Sequence, residues 1–293
     1  MTPRQIKSLL KVVELGSIRQ ASTQLHLAPS SISAQLSELA SELDVELFRS
    51  TARGLVLTDA GQRLMPQFIE FARLADNIQR SAGEVAGEPA GELKLYAPSS
   101  MCIYRLPAII SYLQEHAPKI ELVLVHEPFD YHTALQAGEL DAAIEVSIDE
   151  VDAAWHSQRM YTEQVIYVCH PDRWQSQATS LADLAQQPLI TTEPACSYRR
   201  EIARRFAAAG LQLKPRQNFS NVEVIRRCVL ANMGIAVLPR CVVEDDLRRG
   251  SLQEQAVQDT PCLFSSNLIY PARRNAGVLL LALSDAITQV CGG

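Results

Sequence analysis

Short apolar stripes with a helical period fill the first 43 residues, and polar turns separate them. Thr2 and Gln5 form a capping box ahead of the first stripe, which ends near Gly16. A second capping box at residues 17–20 and a proline at position 29 open two further stripes. The pattern predicts three short helices in series. Their apolar positions are Ile6, Leu9, Leu10, Val13, Ala21, Leu25, Ile32, Leu36, Leu39 and Leu43.

Two strand-like runs, residues 46–49 and 54–57, follow the third helix around an Arg-Gly turn. Three helices and a two-stranded wing are typical of a winged helix-turn-helix, which binds DNA. The third helix begins with hydroxyl and amide side chains, which suit phosphate oxygens and base edges. In an isolated helix such serines more often only cap and solvate the chain, but the wing favours DNA contact. The expected contacts are Pro29, Ser30, Ser31, Ser33, Gln35, Arg49 and Arg53.

One long apolar stripe then runs from Thr58 to about Val85. At 1.5 Å per residue, about 28 residues make a rod of roughly 42 Å, too long for the core of a small domain. We expect the stripe to meet a second subunit in a coiled-coil-like dimer; an ordinary surface helix folded onto its own domain is the alternative. Pro66 removes one backbone donor and predicts a kink or a break into two helices.

From Glu92 onwards strand-like and helix-like stretches alternate, which predicts a parallel α/β architecture. Two similar lobes would leave a cleft at the carboxyl ends of their strands, where small ligands usually bind. The predicted division is a DNA-binding domain (1–58), a linker helix (59–87), a hinge (88–91) and a two-lobed domain (92–293). Lobe I is expected to comprise residues 92–163 and 267–293, and lobe II residues 164–266.

Composition narrows the class of protein. The 293 residues carry a net charge of −6, a poor fit to a surface that grips nucleic acid everywhere. Residues 1–58 hold six basic and five acidic side chains, a net charge of only +1. No window approaches the roughly 20 apolar residues of a membrane span, and no secretory signal opens the chain, so we expect a cytoplasmic protein without a membrane partner. Seven scattered cysteines without CxxC spacing predict neither disulfides nor a zinc site.

Polar residues at the ends of the predicted strands are the candidates for ligand binding. Two stretches, 99–100 and 191–199, each follow a strand and precede a helix, whose N-terminal amides favour an anion. Facing each other across a cleft, they favour a carboxylate-bearing effector; for each residue alone, plain capping of the helix is the alternative. The candidate effector contacts are Ser99, Ser100, Phe129, Ser147, Thr192, Glu193, Cys196, Ser197 and Tyr198.

A long spaced pattern of residues supports the DNA-binding interpretation. It comprises Gly16, Ser17, Ile18, Ala21, Leu25, His26, Leu27, Ser33, Ala34, Gln35, Leu36, Leu39, Leu43, Leu47, Phe48, Arg53, Gly54, Leu57, Thr58, Asp59, Ala60 and Gly61. Residues 5–64 therefore closely resemble the DNA-binding signature of the LysR family of bacterial transcription regulators. Looser landmarks at 135–144 and 234–239 extend the resemblance over nearly the whole chain.

The resemblance implies a winged helix-turn-helix, a long linker helix and a two-lobed α/β effector domain similar to type 2 periplasmic binding proteins. It also implies the partners: double-stranded promoter DNA, a small-molecule effector, further copies of the chain in a dimer and homotetramer, and RNA polymerase. Effector binding is expected to change the angle between the lobes and so shift the dimer arms on bent promoter DNA.

Two departures from the family pattern concern the DNA-binding end of the chain. Asp44 replaces a usual glycine after the third helix, where left-handed geometry is favoured. The usual arginine falls at Ser50, with Arg49 one place early, so Arg53 becomes the preferred wing contact.

The sequence also bears on three other functions: catalysis, redox sensing and solute binding. The six histidines show no HExxH, GxSxG or Ser/His pairing, so no catalytic residue, metal or cofactor is expected. A redox-responsive regulator of the same fold would use Cys196, which precedes a helix with Arg199 and Arg200 nearby, conditions that depress a thiol pKa. Otherwise Cys196 is a small cleft-lining residue. A free-standing solute-binding protein is disfavoured by the missing signal peptide and the helix-turn-helix.

Overall fold

The computed structural model describes residues 1–51, 54–84, 89–257, 262–273 and 276–292. The chain forms two compact units, the first of which ends at residue 87. Within the described ranges no helix combines the length and the apolar character that a membrane crossing requires.

The N-terminal unit contains the predicted three helices and wing. The helices are α1 (Pro3–Leu15), α2 (Ile18–Leu25) and α3 (Pro29–Leu43), and a fourth, α4 (Asp59–Glu84), follows the wing. The wing strands β1 (Phe48–Thr51) and β2 (Gly54–Leu57) pair in antiparallel register. The first strand begins two residues later than predicted, because Leu47 is buried in the core and its carbonyl accepts from the Thr58 amide at 3.0 Å.

The core of this unit follows the helical stripes of the sequence. Thr2 and Gln5 form the predicted capping box, which satisfies amide donors at the start of α1. The fully or nearly fully buried core side chains are Ile6, Leu9, Val12, Ala21, Ile32, Leu36, Leu39, Leu47, Phe68 and Ala72.

The long helix α4 continues through Pro66, so of the two predicted outcomes, a kink or a break, the break does not occur. Phe68 and Ala72 anchor the helix just beyond the proline by packing into the core of the same unit. Further along, Leu74 is 56% exposed and Ile78 is 61% exposed. The first half of the stripe therefore folds onto its own domain, and Leu74 and Ile78 are left uncovered.

Asp44 ends α3 in the left-handed conformation, with φ 52° and ψ 41°, as the family pattern predicted. An L-residue is strained in this region and glycine is not. We expect Asp44→Gly to stabilise the end of α3 by about 0.5–1 kcal/mol. Hydrogen exchange of the α3 amides should slow about two- to fivefold. Asp44→Asn is the control and should change the rates little; faster exchange in the glycine variant would contradict the prediction.

The C-terminal unit is a two-lobed α/β domain. Its helices in the described ranges are α5 (Ser99–Tyr104), α6 (Leu106–His116), α7 (Tyr131–Ala137), α8 (Leu181–Ala185), α9 (Ser197–Ala208), α10 (Val222–Leu230), α11 (Arg240–Arg249) and α12 (Val278–Cys291). Its strands are β3 (Gly91–Tyr96), β4 (Ile120–Val125), β5 (Ala142–Ser147), β6 (Trp155–Cys169), β7 (Leu189–Thr191), β8 (Gln217–Asn218), β9 (Ile235–Pro239), β10 (Gln253–Glu254) and β11 (Cys262–Pro271).

The described strands form one mixed sheet in the order β4-β3-β5-β11-β6-β9-β7-β8, with β10 beside β6. Strands β3, β4 and β5 are parallel in one lobe, and β7, β8 and β9 are parallel in the other. The long strands β6 and β11 run antiparallel to each other and connect the lobes. The parallel prediction therefore holds within each lobe and is wrong for the two connecting strands.

Both faces of the sheet are covered. In β6, Val165, Tyr167 and Cys169 belong to one apolar cluster, and the alternate residues Ile166 and Val168 belong to another. A strand that is buried on both faces needs apolar residues at every position, which explains why residues 165–169 include no charged side chain.

The two lobes meet at a narrow section of this sheet. Strand β5 pairs with β11 only from Ser265, and β9 pairs with β6 only from Val165. Between them, Phe264 pairs with Glu163 and Leu263 pairs with Gln164 without a third described strand. We call these four residues the neck.

Candidate functional site

The N-terminal half of α3 presents free polar groups to solvent. Pro29, Ser30, Ser31 and Ser33 are all exposed. The three hydroxyls make no hydrogen bond with any described residue, and the helix is capped by Ala28 without a side-chain bond. The serines therefore do not cap their own helix, and their hydroxyls are free to contact solvent or DNA.

Gln35 differs from its neighbours because a second helix fixes its side chain. The Ser8 hydroxyl of α1 donates to Gln35 Oε1 at 2.6 Å, and Ser8 itself is only 1% exposed. The amide nitrogen keeps both of its hydrogens available, since the oxygen is the engaged atom. Ser8 was missed by the sequence analysis; the signal was a serine within the apolar stripe of α1.

The wing is attached to the end of α1. Leu55 donates its amide to the carbonyl of Gly16 at 3.3 Å, and a Cβ at Gly54 would lie 2.8 Å from that same oxygen. With its φ of 120°, Gly54 has to be glycine. Arg49 is exposed on β1, whereas Arg53 lies outside the described residues.

In the C-terminal unit a cavity of about 340 Å³ lies between the lobes. All nine residues that the sequence analysis proposed for effector contact line this one cavity: Ser99, Ser100, Phe129, Ser147, Thr192, Glu193, Cys196, Ser197 and Tyr198. They come together because the ends of the parallel strands in the two lobes face each other.

Two of these residues join the lobes through hydroxyls that are already engaged. Ser99 Oγ donates to the Ser220 carbonyl at 3.2 Å and accepts from the Val222 amide at 3.4 Å. Ser100 Oγ and the Tyr198 hydroxyl lie 3.3 Å apart in a buried position. The predicted role of the two serines as anion ligands is therefore weakened, because their hydroxyls hold lobe to lobe.

Aromatic rings that the sequence analysis missed form one wall of the cavity. Tyr96 stacks on Tyr131 with ring centroids 4.5 Å apart, and Phe129 meets Tyr96 edge-on at 5.5 Å. Beside them, His132 Nε2 lies 3.1 Å from Glu145 Oε2. Tyr96 ends β3 as its last residue, where the strand opens into the cleft, and this position was the available signal.

Cys196 does not have the low pKa that a redox-sensing thiol requires. Removal from water raises the pKa of the Cys196 thiol, and a hydrogen bond with Thr192 offsets the rise only in part. The Arg199 guanidinium, expected to stabilise a thiolate, instead donates to Thr191 Oγ1 and the Thr192 carbonyl. The sequence expectation of a depressed thiol pKa is therefore wrong, and it no longer supports the redox alternative.

A buried carboxylate in the neck ties several elements together. Glu163 is 1% exposed and accepts two hydrogen bonds from Arg105, at 2.8 Å from Nε and 3.0 Å from Nη2. The Cys241 thiol donates to it at 3.5 Å, and the Arg105 guanidinium lies 4.3 Å from the Tyr161 ring centre. Sequence patterns gave no sign of this cluster, since its members are distant along the chain.

Comparison with known proteins agrees with this architecture. Residues 3–62 match the family described as bacterial regulatory helix-turn-helix protein, lysR family, and residues 86–292 match the LysR substrate binding domain. Among curated proteins, the transcriptional regulator YwqM of Bacillus subtilis is 27% identical over 87% of each chain. GltR, a regulator of the same organism, is 25% identical over 99% of this chain and 96% of its own.

Solved structures show the same fold. A full-length OxyR variant from Pseudomonas aeruginosa superposes with a TM-score of 0.72 at 20% identity, covering 99% of this chain and 95% of its own. Full-length CbnR in complex with its target DNA gives 0.67 at 19% identity, covering 99% and 100%.

The two family matches together span nearly the whole chain, and the family consists of transcriptional regulators and not of enzymes. The protein belongs to the LysR family of transcriptional regulators, with a helix-turn-helix DNA-binding domain and an effector-binding domain.

Proposed function

We propose that this regulator binds promoter DNA through the start of α3 and the wing, and that a small molecule in the inter-lobe cavity controls it. The observation that carries the effector half is that polar strand ends from both lobes line one cavity. The DNA half rests on the free hydroxyls of α3, which suit phosphate oxygens and base edges.

In this proposal the contacts divide by chemistry. Pro29, Ser30 and Ser31 approach the backbone at the helix start, and Ser33 and Gln35 reach base edges in the major groove. Arg49 and Arg53 neutralise phosphates from the wing. RNA polymerase is the further partner, and regulation takes place in the cytoplasm.

Two exposed apolar side chains in the second half of α4 support self-association. Leu74 and Ile78 are large apolar side chains one helical turn apart, which is the spacing of a helix-helix seam. We propose that two chains pair along this stripe and that dimers combine into a tetramer. In this scheme residues 1–58 bind DNA, 59–87 dimerise, 88–91 act as a hinge and 92–293 sense the effector in two lobes, 92–163 with 267–293 and 164–266.

The DNA contact can be tested at Gln35. We expect Gln35→Ala to weaken binding to a selected operator about tenfold, because it removes the amide donors that Ser8 leaves free for a base edge. Ser8→Ala should weaken it less, since it only frees the amide that Ser8 orients. The operator would be selected from random-sequence DNA with the wild-type protein, and affinity measured by fluorescence anisotropy at fixed salt.

Ser41→Ala, at the exposed C-terminal end of the same helix, is the matched control and should leave affinity unchanged. Affinity should also fall as salt rises, since phosphate contacts release counterions. Operator binding that is insensitive both to salt and to Gln35→Ala would refute the proposed interface.

For the effector, the geometry supports a carboxylate near the start of α9. Ser197 and Tyr198 open this helix, and its cap residue, Cys196, makes no capping hydrogen bond with its side chain. Their amides and the helix dipole favour negative charge there. We propose that binding changes the angle between the lobes and, through it, the position of the DNA-binding arms.

A further inference from the structure

We infer that the cavity takes a zwitterion, with Glu193 holding an ammonium group and Arg200 holding the carboxylate. This inference rests on the proposed function, because it names the chemical class of the effector in the same cavity. An α-amino acid is the simplest ligand of that class.

The charged groups that line the cavity are mostly paired already. Asp130 accepts from the amide and the hydroxyl of Thr133, at 3.1 and 2.6 Å, and so caps α7. Glu145 is paired with His132, and His126 is exposed. Glu193 and Arg200 are left, one of each sign, without an ion pair to any described residue.

Glu193 supplies the unsatisfied acceptor. Its Oε2 is shielded from solvent and has no hydrogen-bond partner among the described residues. A buried acceptor without a donor is costly, and removal from water raises the pKa of Glu193, while a backbone hydrogen bond and the positive charge of Arg199 oppose that rise. Turning this oxygen to an ammonium group in the cavity would give it both a donor and a compensating charge.

Aromatic rings line the same cavity, and one of them lies near this carboxylate. Burial raises the pKa of Tyr96 to about 12, and the nearby Cys196 and Glu193 contribute to the rise, which places the tyrosine beside them. Phe129 and Tyr131 pack on the Tyr96 ring. A carboxylate next to aromatic faces is the environment that proteins use for ammonium ligands.

Arg200 provides the opposite pole. It belongs to the first turns of α9, is exposed, and its side chain makes no hydrogen bond with the described residues. Its positive charge acts on Tyr131 of the other lobe and opposes the rise in that tyrosine's pKa, so the guanidinium faces the cavity. Guanidinium binds carboxylate in a two-point geometry. A plain carboxylate would satisfy Arg200 and leave Glu193 unpaired; a zwitterion satisfies both.

The test uses matched compounds and the full-length protein. The twenty common L-amino acids are screened by thermal unfolding, followed through tryptophan fluorescence, because both tryptophans, Trp155 and Trp174, lie in the C-terminal unit. Each amino acid that stabilises the protein is then compared by calorimetry with the acid lacking the amine and the amine lacking the acid. For leucine these are 4-methylpentanoate and 3-methylbutylamine. We expect both analogues to bind at least about tenfold more weakly than the amino acid.

Two variants test which residue binds which charged group of the ligand. Glu193→Gln should weaken the amino acid about tenfold and leave the amine-free acid unaffected, and Arg200→Gln should weaken both. Glu244→Gln and Arg248→Gln, on the surface of α11, are the matched controls and should change neither affinity.

The role of Glu193 can also be tested without a ligand, through the pH dependence of the stability of the unliganded protein. Because the pKa of Glu193 is raised in the folded state, its contribution to stability is present at low pH and is lost as pH rises through that pKa. Glu193→Gln should therefore flatten the fall in stability with rising pH, while Glu244→Gln should not.

The outcomes separate this inference from the proposed function. Amine-free acids that bind as tightly as the amino acids, a Glu193→Gln variant that loses both equally, or a panel in which no amino acid binds would each overturn the zwitterion. An amine-free acid that binds the cavity as tightly as the amino acid and changes operator affinity would overturn it and leave the proposed function standing. Failure of operator binding itself would instead remove the proposed function.

Discussion

Replacing Glu163 by alanine is expected to lower the free energy of unfolding of the C-terminal unit by about 3 kcal/mol. The substitution would leave Arg105 without its partner, in a position where 26% of its side chain is exposed. An unpaired, largely buried guanidinium is much more costly than the intact pair is stabilising. The Cys241 thiol would lose its acceptor as well.

Urea denaturation followed by tryptophan fluorescence measures this change in the C-terminal unit alone, since the N-terminal unit has no tryptophan. Glu163→Gln keeps an acceptor for Arg105 and should cost clearly less than the alanine variant. Glu145→Ala is a second control, because its partner, His132, is 43% exposed and can be solvated. Equal losses in all three variants would show that the buried pair has no special weight.

Gly234→Ala is expected to destabilise the same unit by about 3 kcal/mol. A Cβ at this position would lie 2.0 Å from the carbonyl oxygen of Pro188, which is backbone and cannot rotate away. That oxygen also accepts from the Ile235 amide at 3.0 Å, at the point where β7 and β9 begin to pair. Relieving the clash therefore means separating two core strands of one lobe.

Gly210→Ala separates steric overlap from backbone strain. Gly210 has φ of 71° and open space around it, so alanine there should cost only about 1 kcal/mol of left-handed strain. Both variants would be compared with the wild type by the same fluorescence assay. A Gly234→Ala protein no less stable than Gly210→Ala would mean that Pro188 moves without cost.

Local signals in the sequence predicted much of the fold. Strand β4 and helix α7 lie where alternating strand-like and helix-like stretches are predicted, because strong periodicity and polar ends coincide there. The Asp44 conformation followed from what a helix end requires of its backbone.

Long-range pairing explains what the sequence analysis missed. The first nine residues of β6 have mixed polarity and become a strand by pairing with β11, whose position is not a local property. Helix α11 was not predicted, because its strongly charged sequence shows little apolar periodicity. Pro239 before the helix and Gly250 after it are the local signals of its two ends.

The candidate site was also predictable only in part. The nine effector candidates line one cavity because the topology brings the ends of parallel strands together. Which of their polar groups are free depends on contacts between lobes. The sequence could not show that Ser99 and Ser100 are engaged and that Glu193 and Arg200 lack partners.

The neck, finally, limits how the two lobes can move relative to each other. Only two residue pairs, Phe264 with Glu163 and Leu263 with Gln164, carry the described sheet from one lobe to the other. A two-stranded ribbon keeps its hydrogen bonds when it twists and breaks them when its strands are pulled apart. We therefore expect any relative motion of the lobes to be a torsion about this ribbon, which the Arg105–Glu163 pair would resist. Under the proposed function, the bound effector would favour one angle of that torsion.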